Sequence, residues 1–507
     1  MKHNGMSFFP ATIPSGVKLF HGSPSDNDPV EGMEWLAFEK SFAYVYTGVP
    51  RNSDCYDFGE SDSTFSKVRE KHFLYDHQQQ RIISDPADCP PVDYIPGYMQ
   101  TYTTTRSLNF LYIDGVSGGK SDRGTQDTQD IILLNRTSRA EFLTDDERAR
   151  SLCKLARDEW KGRIDGFVRA NFGFELILCE FRGAVTLTDS IQGERGGYGL
   201  PYVSKSTALM TVFDMYKSIE DQFWGLGGNR IGVDFERMVT AYAVEGVDLW
   251  VNGTENQPRL TGMGYDKKSE MRRKLSEMII ERNITDSSGE RTFRKAAADE
   301  VTAVDWQAIV DVIVLHYSAR LYDYAYGDDS FLSTPSLMLA NLNLLIRNFI
   351  NQNSRNTEEE INRCTHTFIP FAYRPTVAAT AVIQVSKQVC TALLQAEALL
   401  SSPTHLKSSV VPQTTVGSSE HQASHPSQLQ HFRMLFQTLI DDLAWPAHKY
   451  CRGCSSSEVC FTAAYPFGTR DDLEKPSCKN LVETARRLAA GYWVSVPGAV
   501  VKTRSLF

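Results

Sequence analysis

Four patterns in the sequence bring together residue types that do chemistry. Leu19-Phe20-His21-Gly22-Ser23 ends a strand-like run on a histidine and small residues. Gly173-Phe174-Glu175-Leu176-Ile177-Leu178 sets one carboxylate in an apolar run. A histidine and a carboxylate are the commonest proton-transfer groups in enzymes. The alternative is that His21 is a hydrogen-bonded strand-end residue and Glu175 an edge charge. The second pattern, Tyr112-Ile113-Asp114-Gly115-Val116-Ser117-Gly118-Gly119-Lys120-Ser121, ends like a phosphate-binding loop. That loop needs glycine where Asp114 stands, and SDRGTQDTQD after it does not open a helix whose amides could cradle a phosphate. A Gly-Ser turn is the better reading, with Lys120 and Arg123 left to meet a phosphate or a tRNA backbone.

The third pattern is acidic: Glu31, Glu34 and Glu39, then Asp127 and Asp130. Carboxylates of this kind hold a guanidinium, because the planar arginine fork pairs with them bidentately. The alternative is a solvated face. The fourth is Cys451-Arg-Gly-Cys454 with Cys460 and Cys478. Four such thiolates would make a structural zinc site with no open position. A second close pair is missing, so two disulfides or buried thiols are the alternatives. Ser-His-Asp order, a nucleophile elbow and His-Glu-x-x-His are all absent from the sequence. His316 and His366 read as structural.

These groups must be positioned by strands and helices. VKLFHGS, YMQTYTTTRSLNFLYIDG and RIDGFVRANFGFELILCEF read as strands, the last pair joined by a turn at residues 170–173. TDDERARSLCKLARDEWK is the clearest early helix, with Thr144 as N-cap and Asp145, Asp146 and Glu147 in its first turn. Leu152, Leu155 and Trp160 give it an apolar stripe, which Cys153 joins. A further helix falls at 207–223, and a Gly-rich loop follows it. Past about residue 260 the pattern turns helical, over 266–282, 301–322, 332–351, 376–400 and 426–443. Residues 50–95 read as an insertion or surface loop. The fold class is α+β: a mixed-sheet domain with helices over 1–255, a helical region over 256–400, a flexible linker over 401–428, and a helix with a cysteine-containing tail over 429–507.

With 507 residues, there is ample material for a core. A net charge of −9 argues against a wide basic face that coats DNA. Ten cysteines are too few for a disulfide scaffold. The N-terminal residues lack a signal-peptide apolar run, and no stretch reaches the ~18 uncharged apolar residues of a membrane span. A cytoplasmic protein is expected, so the sequons at Asn135, Asn252 and Asn283 read as chance matches.

The order HGS, Trp35-Leu36-Ala37-Phe38, then Glu175 resembles the ADP-ribosyltransferase fold. The resemblance implies that His21 binds a ribose, Phe38 stacks and Glu175 is the catalytic carboxylate. Ser23 departs from the usual threonine, and the expected wall tyrosine is missing. The longer run LFHGS…GMEWLAFE…LYIDG…GTQDTQD…RIDGFVR…GFELILCEF…CRGC…VCF…YPFG is similar to a widespread group of fungal proteins long labelled hypothetical, bordering on the arginine-containing cyclodipeptide synthases. That resemblance implies acyl transfer between arginyl-tRNA and a second aminoacyl-tRNA, with no cofactor required. Glu175 would be base or guanidinium partner, Glu39 and Asp130 further carboxylates, and His21 a polar positioner. Lys120, Arg123 and Arg169 would contact tRNA phosphates. A non-enzymatic helical interaction protein is the third reading.

Overall fold

The structure is a computed structural model. It describes residues 2–23, 29–44, 46–47, 49–50, 94–95, 97–121, 123–136, 144–171, 173–192, 216, 230–250, 257–281, 304–327, 334–401, 425–449, 451, 453–465, 468–485 and 492–493. Nearly all of the expected insertion at 50–95, the helix at 207–223 and the linker at 401–428 lie outside the described residues, as do Asn252 and Asn283.

The chain forms two compact units, residues 296–450 and residues 2–295 with 451–507. This partition differs from the one expected from the sequence. The helix at 265–281 and the cysteine tail both belong with the sheet.

The sheet unit is built on ten strands. They are β1 (Ser7–Ile13), β2 (Lys18–Ser23), β3 (Glu34–Ala37), β6 (Tyr98–Thr104), β7 (Leu108–Ile113), β8 (Gly166–Ala170), β9 (Phe174–Leu178), β10 (Val185–Gln192), β11 (Gly232–Val233) and β12 (Val239–Thr240). Two short strands, β4 (Val49–Pro50) and β5 (Tyr94–Ile95), pair separately. The order across the main sheet is β10-β6-β2-β3-β9-β8-β7-β1-β11, with β12 also on β1. Only β7 and β8 run parallel among the paired strands described. A parallel pair needs a long crossover. Here it carries a π-helical turn (Thr128–Leu133) and helix α2 (Asp145–Asp158); helix α1 (Lys40–Tyr44) follows β3.

Alternation along the strands fills two apolar layers. One face packs Phe8, Leu111, Ile113, Phe167 and Ile177 against Ala149, Leu152, Leu155 and Ala156 of α2 and against Met271, Leu275 and Ile279 of α3 (Tyr265–Glu281). The other gathers Leu19, Leu36, Phe38, Tyr102, Phe110, Val168, Leu176 and Phe181. Thr144 caps α2 as its sequence requires, in a capping box with Glu147. The run DTQDIILL becomes the π-helical turn, which buries Ile132 and Leu133.

The helical unit holds α4 (Trp306–Tyr326), α5 (Pro335–Ile346), α6 (Thr357–Thr365), α7 (Val377–Ser401) and α8 (His425–Leu443). The α6 segment was not anticipated, because its first turn is Glu358-Glu359-Glu360 and its apolar content is small. Asn356 caps it and the acidic turn suits its dipole. Helix α7 is long and apolar enough to cross a membrane by length and composition, but half of it is buried inside this unit, as in a core helix.

Eight described cysteines are paired: Cys153–Cys179, Cys364–Cys390, Cys451–Cys460 and Cys454–Cys478. The two tail bridges were among the alternatives the sequence offered; Cys153–Cys179 and Cys364–Cys390 were not anticipated. A cysteine count carries no information on which thiols the fold brings within bonding distance.

Candidate functional site

The site is built around Arg169. It stands in β8 directly opposite Glu175 in β9. Both side chains point to the α2 face and both are buried, Arg169 completely. Arg169 Nε donates to Glu175 Oε1, Nη2 donates to Asp145 Oδ2, and Nη1 donates to Gln129 Oε1 at 3.2 Å. Asp145 is the first residue of α2, so one guanidinium clips both strands to the helix start and to the π-helical turn. The cluster reaches solvent at two members. Lys120 Nζ lies 3.9 Å from Asp145 Oδ2 and its side chain is 13% exposed. Asp130, 29% exposed, takes a bidentate pair from Arg148 at 2.8 and 3.2 Å.

The double glycine of the Gly-Ser loop lies on this cluster. Gly118 donates its amide to Ala170 O at 2.7 Å, and a Cβ there would come within 2.7 Å of Glu175 Oε1. Only glycine lets the backbone approach so closely. Described residues on this loop are held by the tail. Ser121 Oγ donates to Trp493 O at 2.8 Å, Arg123 Nε donates to Tyr492 O, and the Arg123 guanidinium sits 4.6 Å over the Tyr492 ring. Asp127 accepts a bidentate pair from Arg259 at 2.8 and 3.2 Å.

Burial splits the two central carboxyls. It pushes Glu175 above the usual carboxylate range; Arg169 opposes the shift and the Asp145 charge adds to it. Burial opposes ionisation of Asp145 too, but Arg169, Lys120 and Arg148 outweigh it and hold that carboxyl well below its usual range. Two carboxyls on one guanidinium thus have opposite proton affinities, a pattern found where acid and base roles are divided.

The other expected residues are placed elsewhere. His21 Nδ1 lies 2.8 Å from Trp35 O, with Tyr102 and Phe181 edge-on to the ring. Phe20, Ala37, Glu175 and Arg169 lie on one line of cross-strand partners. His21, next to Phe20, therefore points to the opposite face of the sheet from Glu175. Phe38 is buried in that opposite layer. Glu39 pairs with Arg230 at 2.5 Å, and Arg230 lies 5.4 Å over the Phe38 ring. His21, Phe38 and Glu39 are thus not part of the Glu175 cluster. The tRNA role expected of Arg169 is corrected: a fully buried guanidinium held by internal carboxylates presents nothing to a phosphate backbone.

The acidic pattern does hold guanidinium groups, as its chemistry implied, but they are the chain's own. Glu31 takes Arg182, Glu39 takes Arg230, Asp127 takes Arg259 and Asp130 takes Arg148. Sequence reasoning missed Asp145 as a central member, reading it only as first-turn charge. It also missed Gln129, Arg148 and Arg259. An arginine count near the acidic pairs was the available signal, but it does not say which pair is buried.

In the tail, β13 (Glu458–Phe461) and β14 (Ser477–Asn480) form a hairpin. The Sγ atoms of Cys451, Cys454 and Cys478 lie within 4.8 Å of one another, an arrangement that could hold a metal. The same cysteines are joined in two disulfides, with Cys460 closing the set, so the stated disulfide alternative is the form seen here on a sulfur cluster that could also hold a metal.

Residues 1–195 match the family described as the YPL277C N-terminal domain. Two proteins of Saccharomyces cerevisiae are similar over this segment. "Uncharacterized protein YOR389W" is 31% identical over 192 residues, covering 35% of this chain and 28% of that protein. "Uncharacterized protein YPL277C" is 32% identical over 196 residues, covering 35% of this chain and 36% of that protein. The matched segment is thus similar to uncharacterised fungal proteins, and it spans about a third of the length of these relatives. No solved structure matches the chain. The matched residues include His21, Lys120, Gln129, Asp130, Asp145, Arg148, Arg169 and Glu175.

Proposed function

We propose that the sheet unit is an aminoacyltransferase centred on Glu175, which joins arginine from arginyl-tRNA to a second aminoacyl group and closes a cyclo-Arg-Xaa diketopiperazine. The observation that carries the reading is the buried Glu175 carboxyl, with its raised proton affinity, packed against a double glycine and backed by Arg169 and Asp145. Burying several charges in one place costs stability. Such a cluster of perturbed groups under a close backbone approach supports a reacting site.

The chemistry follows from the substrate class that the fungal resemblance supplies. The tRNA ester already carries the activation, so no cofactor is required. The α-amine of one aminoacyl group attacks the ester carbonyl of the other and the first tRNA leaves through its ribose hydroxyl; the free amine of the resulting dipeptidyl-tRNA then attacks the remaining ester, which closes the ring and releases the second tRNA hydroxyl. A carboxylate raised toward neutral pH takes the ammonium proton more readily than an ordinary one. Glu175 is assigned that role, which requires the Gly118–Gly119 backbone that covers it to move aside, and Arg169 and Asp145 position it. Asp130 is the more solvent-open carboxylate and is assigned to the substrate guanidinium, in exchange for Arg148. Lys120 and Arg123 are assigned to the tRNA phosphates; a few such contacts suffice on an acidic protein. The tRNA substrates make the cytoplasm the place of action.

The NAD-dependent alternative needs His21 and Glu175 on one dinucleotide, and their opposite sheet faces weigh against it. The closure of the Arg169 cluster favours a different second reading, a non-enzymatic protein in which the cluster is structural. One experiment separates the two. Extracts of yeast expressing the chain, or its Glu175→Gln variant, are compared by mass spectrometry, with thermal melting of both purified proteins. The expected outcome is an arginine-containing cyclic dipeptide that disappears in a folded variant. If the native chain yields none, in cells or with purified aminoacyl-tRNAs, the structural reading takes its place.

A further inference from the structure

We propose that the cysteine hairpin of the tail is a redox-controlled zinc site: closed as two disulfides when oxidised, and binding one zinc ion through four thiolates when reduced. The argument is geometric. Cys460 and Cys478 are direct cross-strand partners in β13 and β14. They are nevertheless bonded to Cys451 and Cys454 rather than to each other. Two separate bridges therefore meet at one point. Three of the sulfurs lie within 4.8 Å of one another, and the fourth, on Cys460, is bonded to Cys451. A tetrahedral four-thiolate zinc with bonds of about 2.3 Å sets its sulfurs about 3.8 Å apart. Opening both bridges leaves three sulfurs already grouped at about that spacing, with Cys460, now bonded to Cys451, as the fourth ligand.

The local backbone fits the same role. Gly453 has φ of 81°, in the left-handed region, and turns the chain between Cys451 and Cys454. The Cys451 amide donates to Cys460 Sγ at 2.9 Å. An amide donor on sulfur stabilises thiolate charge once the bridge is opened. All four cysteines are half-buried, so a small reductant can reach them. The Cys364–Cys390 bridge differs on both counts. Its cysteines are 2% and 1% exposed, and no other described cysteine joins them in a cluster.

The chemistry balances with a dithiol as reductant. Each S–S bond takes two electrons and two protons, and each dithiol leaves as a cyclic disulfide. Zinc then replaces the four thiol protons, which pass to solvent as four Zn–S bonds form. In the reverse direction, two equivalents of a peroxide accept four electrons and four protons to give water. Both S–S bonds re-form and the zinc leaves. Soft thiolate ligands in tetrahedral array select zinc over magnesium or calcium.

The test uses the full chain. It is reduced anaerobically with dithiothreitol, given Zn²⁺, freed of excess by gel filtration and assayed for metal; a parallel sample takes Co²⁺ for its spectrum. The expected result is one zinc per reduced chain and the intense bands of tetrahedral cobalt thiolate, with none in the oxidised chain. A Cys364→Ser/Cys390→Ser variant keeps the metal and a Cys454→Ser/Cys478→Ser variant loses it. A reduced native chain that takes up no zinc, folded or not, overturns the proposal. So does zinc held equally by the Cys454→Ser/Cys478→Ser variant.

Discussion

His3 is held as a neutral imidazole. It is buried between the Tyr492 and Trp493 rings, at 5.7 and 4.8 Å, and neither ring nitrogen has a partner among the described residues. Burial, then the charges of the N-terminus, Arg123, Arg259 and Lys2, lower its pKa from 6.5 to about 3. As pH falls below 6.5 the unfolded chain takes a proton that the folded chain refuses. His3 thus contributes stability that is present above pH 6.5 and lost toward about 3, at about 1.4 kcal/mol per pH unit. Asp114 works in the other sense. Burial raises its carboxyl from 3.8 to about 6, against the Ser7 hydrogen bonds, so its contribution is present below 3.8 and lost as pH rises through about 6. The two oppose each other over the shared window. A His3→Gln variant isolates the first: its melting temperature is expected to fall less than the native one between pH 6.5 and 4.5. Parallel profiles for the two proteins would sink the assignment.

Arg169 works between elements. It joins β8 to β9 by a cross-strand pair, and both strands to α2 and the π-helical turn through Asp145 and Gln129. Replacing it with a side chain of similar bulk but no charge leaves Glu175 buried without its cation beside Asp145, which keeps only the more distant Lys120 and Arg148. An Arg169→Met variant is expected to lose about 3–5 kcal/mol of unfolding free energy. Urea denaturation measures it, and a loss below about 1 kcal/mol would show that the cluster is not a keystone. The same pairing explains why the carboxylates were readable as guanidinium partners before the arginines were. Type and charge of a residue are local, but which arginine arrives depends on strand register.

Within the sheet unit, the tail completes what the N-terminal segment begins. Trp493 is 1% exposed, lies against His3 and accepts from Ser121 through its carbonyl. Trp493→Ala leaves a cavity between the first residues and the Gly-Ser loop, at a cost of about 3–5 kcal/mol. Thermal melting and limited proteolysis of the loop check this; an unchanged melting temperature and digestion pattern would show the tail to be dispensable. Disulfides persist in oxidising compartments and are rare in the cytosol, whereas aminoacyl-tRNAs are cytosolic. The proposed tRNA chemistry therefore calls for the bridges to be open, Cys153–Cys179 and the buried Cys364–Cys390 included, and the metal assay reports on the hairpin alone.

The sequence by itself determined the local features. Apolar periodicity marked β2, β6 to β9, and most helices to within a few residues, because helix and strand formation respond to near neighbours. The Thr144 cap was legible for the same reason. It also singled out Glu175 and the cysteine quartet by residue type. The tertiary structure alone decided the rest. Sheet order put His21 and Glu175 on opposite faces, since adjacent residues of a strand alternate sides. Strand register chose Arg169 as the partner of Glu175. Chain return brought the tail onto the sheet unit, and cysteine spacing, which grouped the tail quartet, did not say which sulfurs would pair.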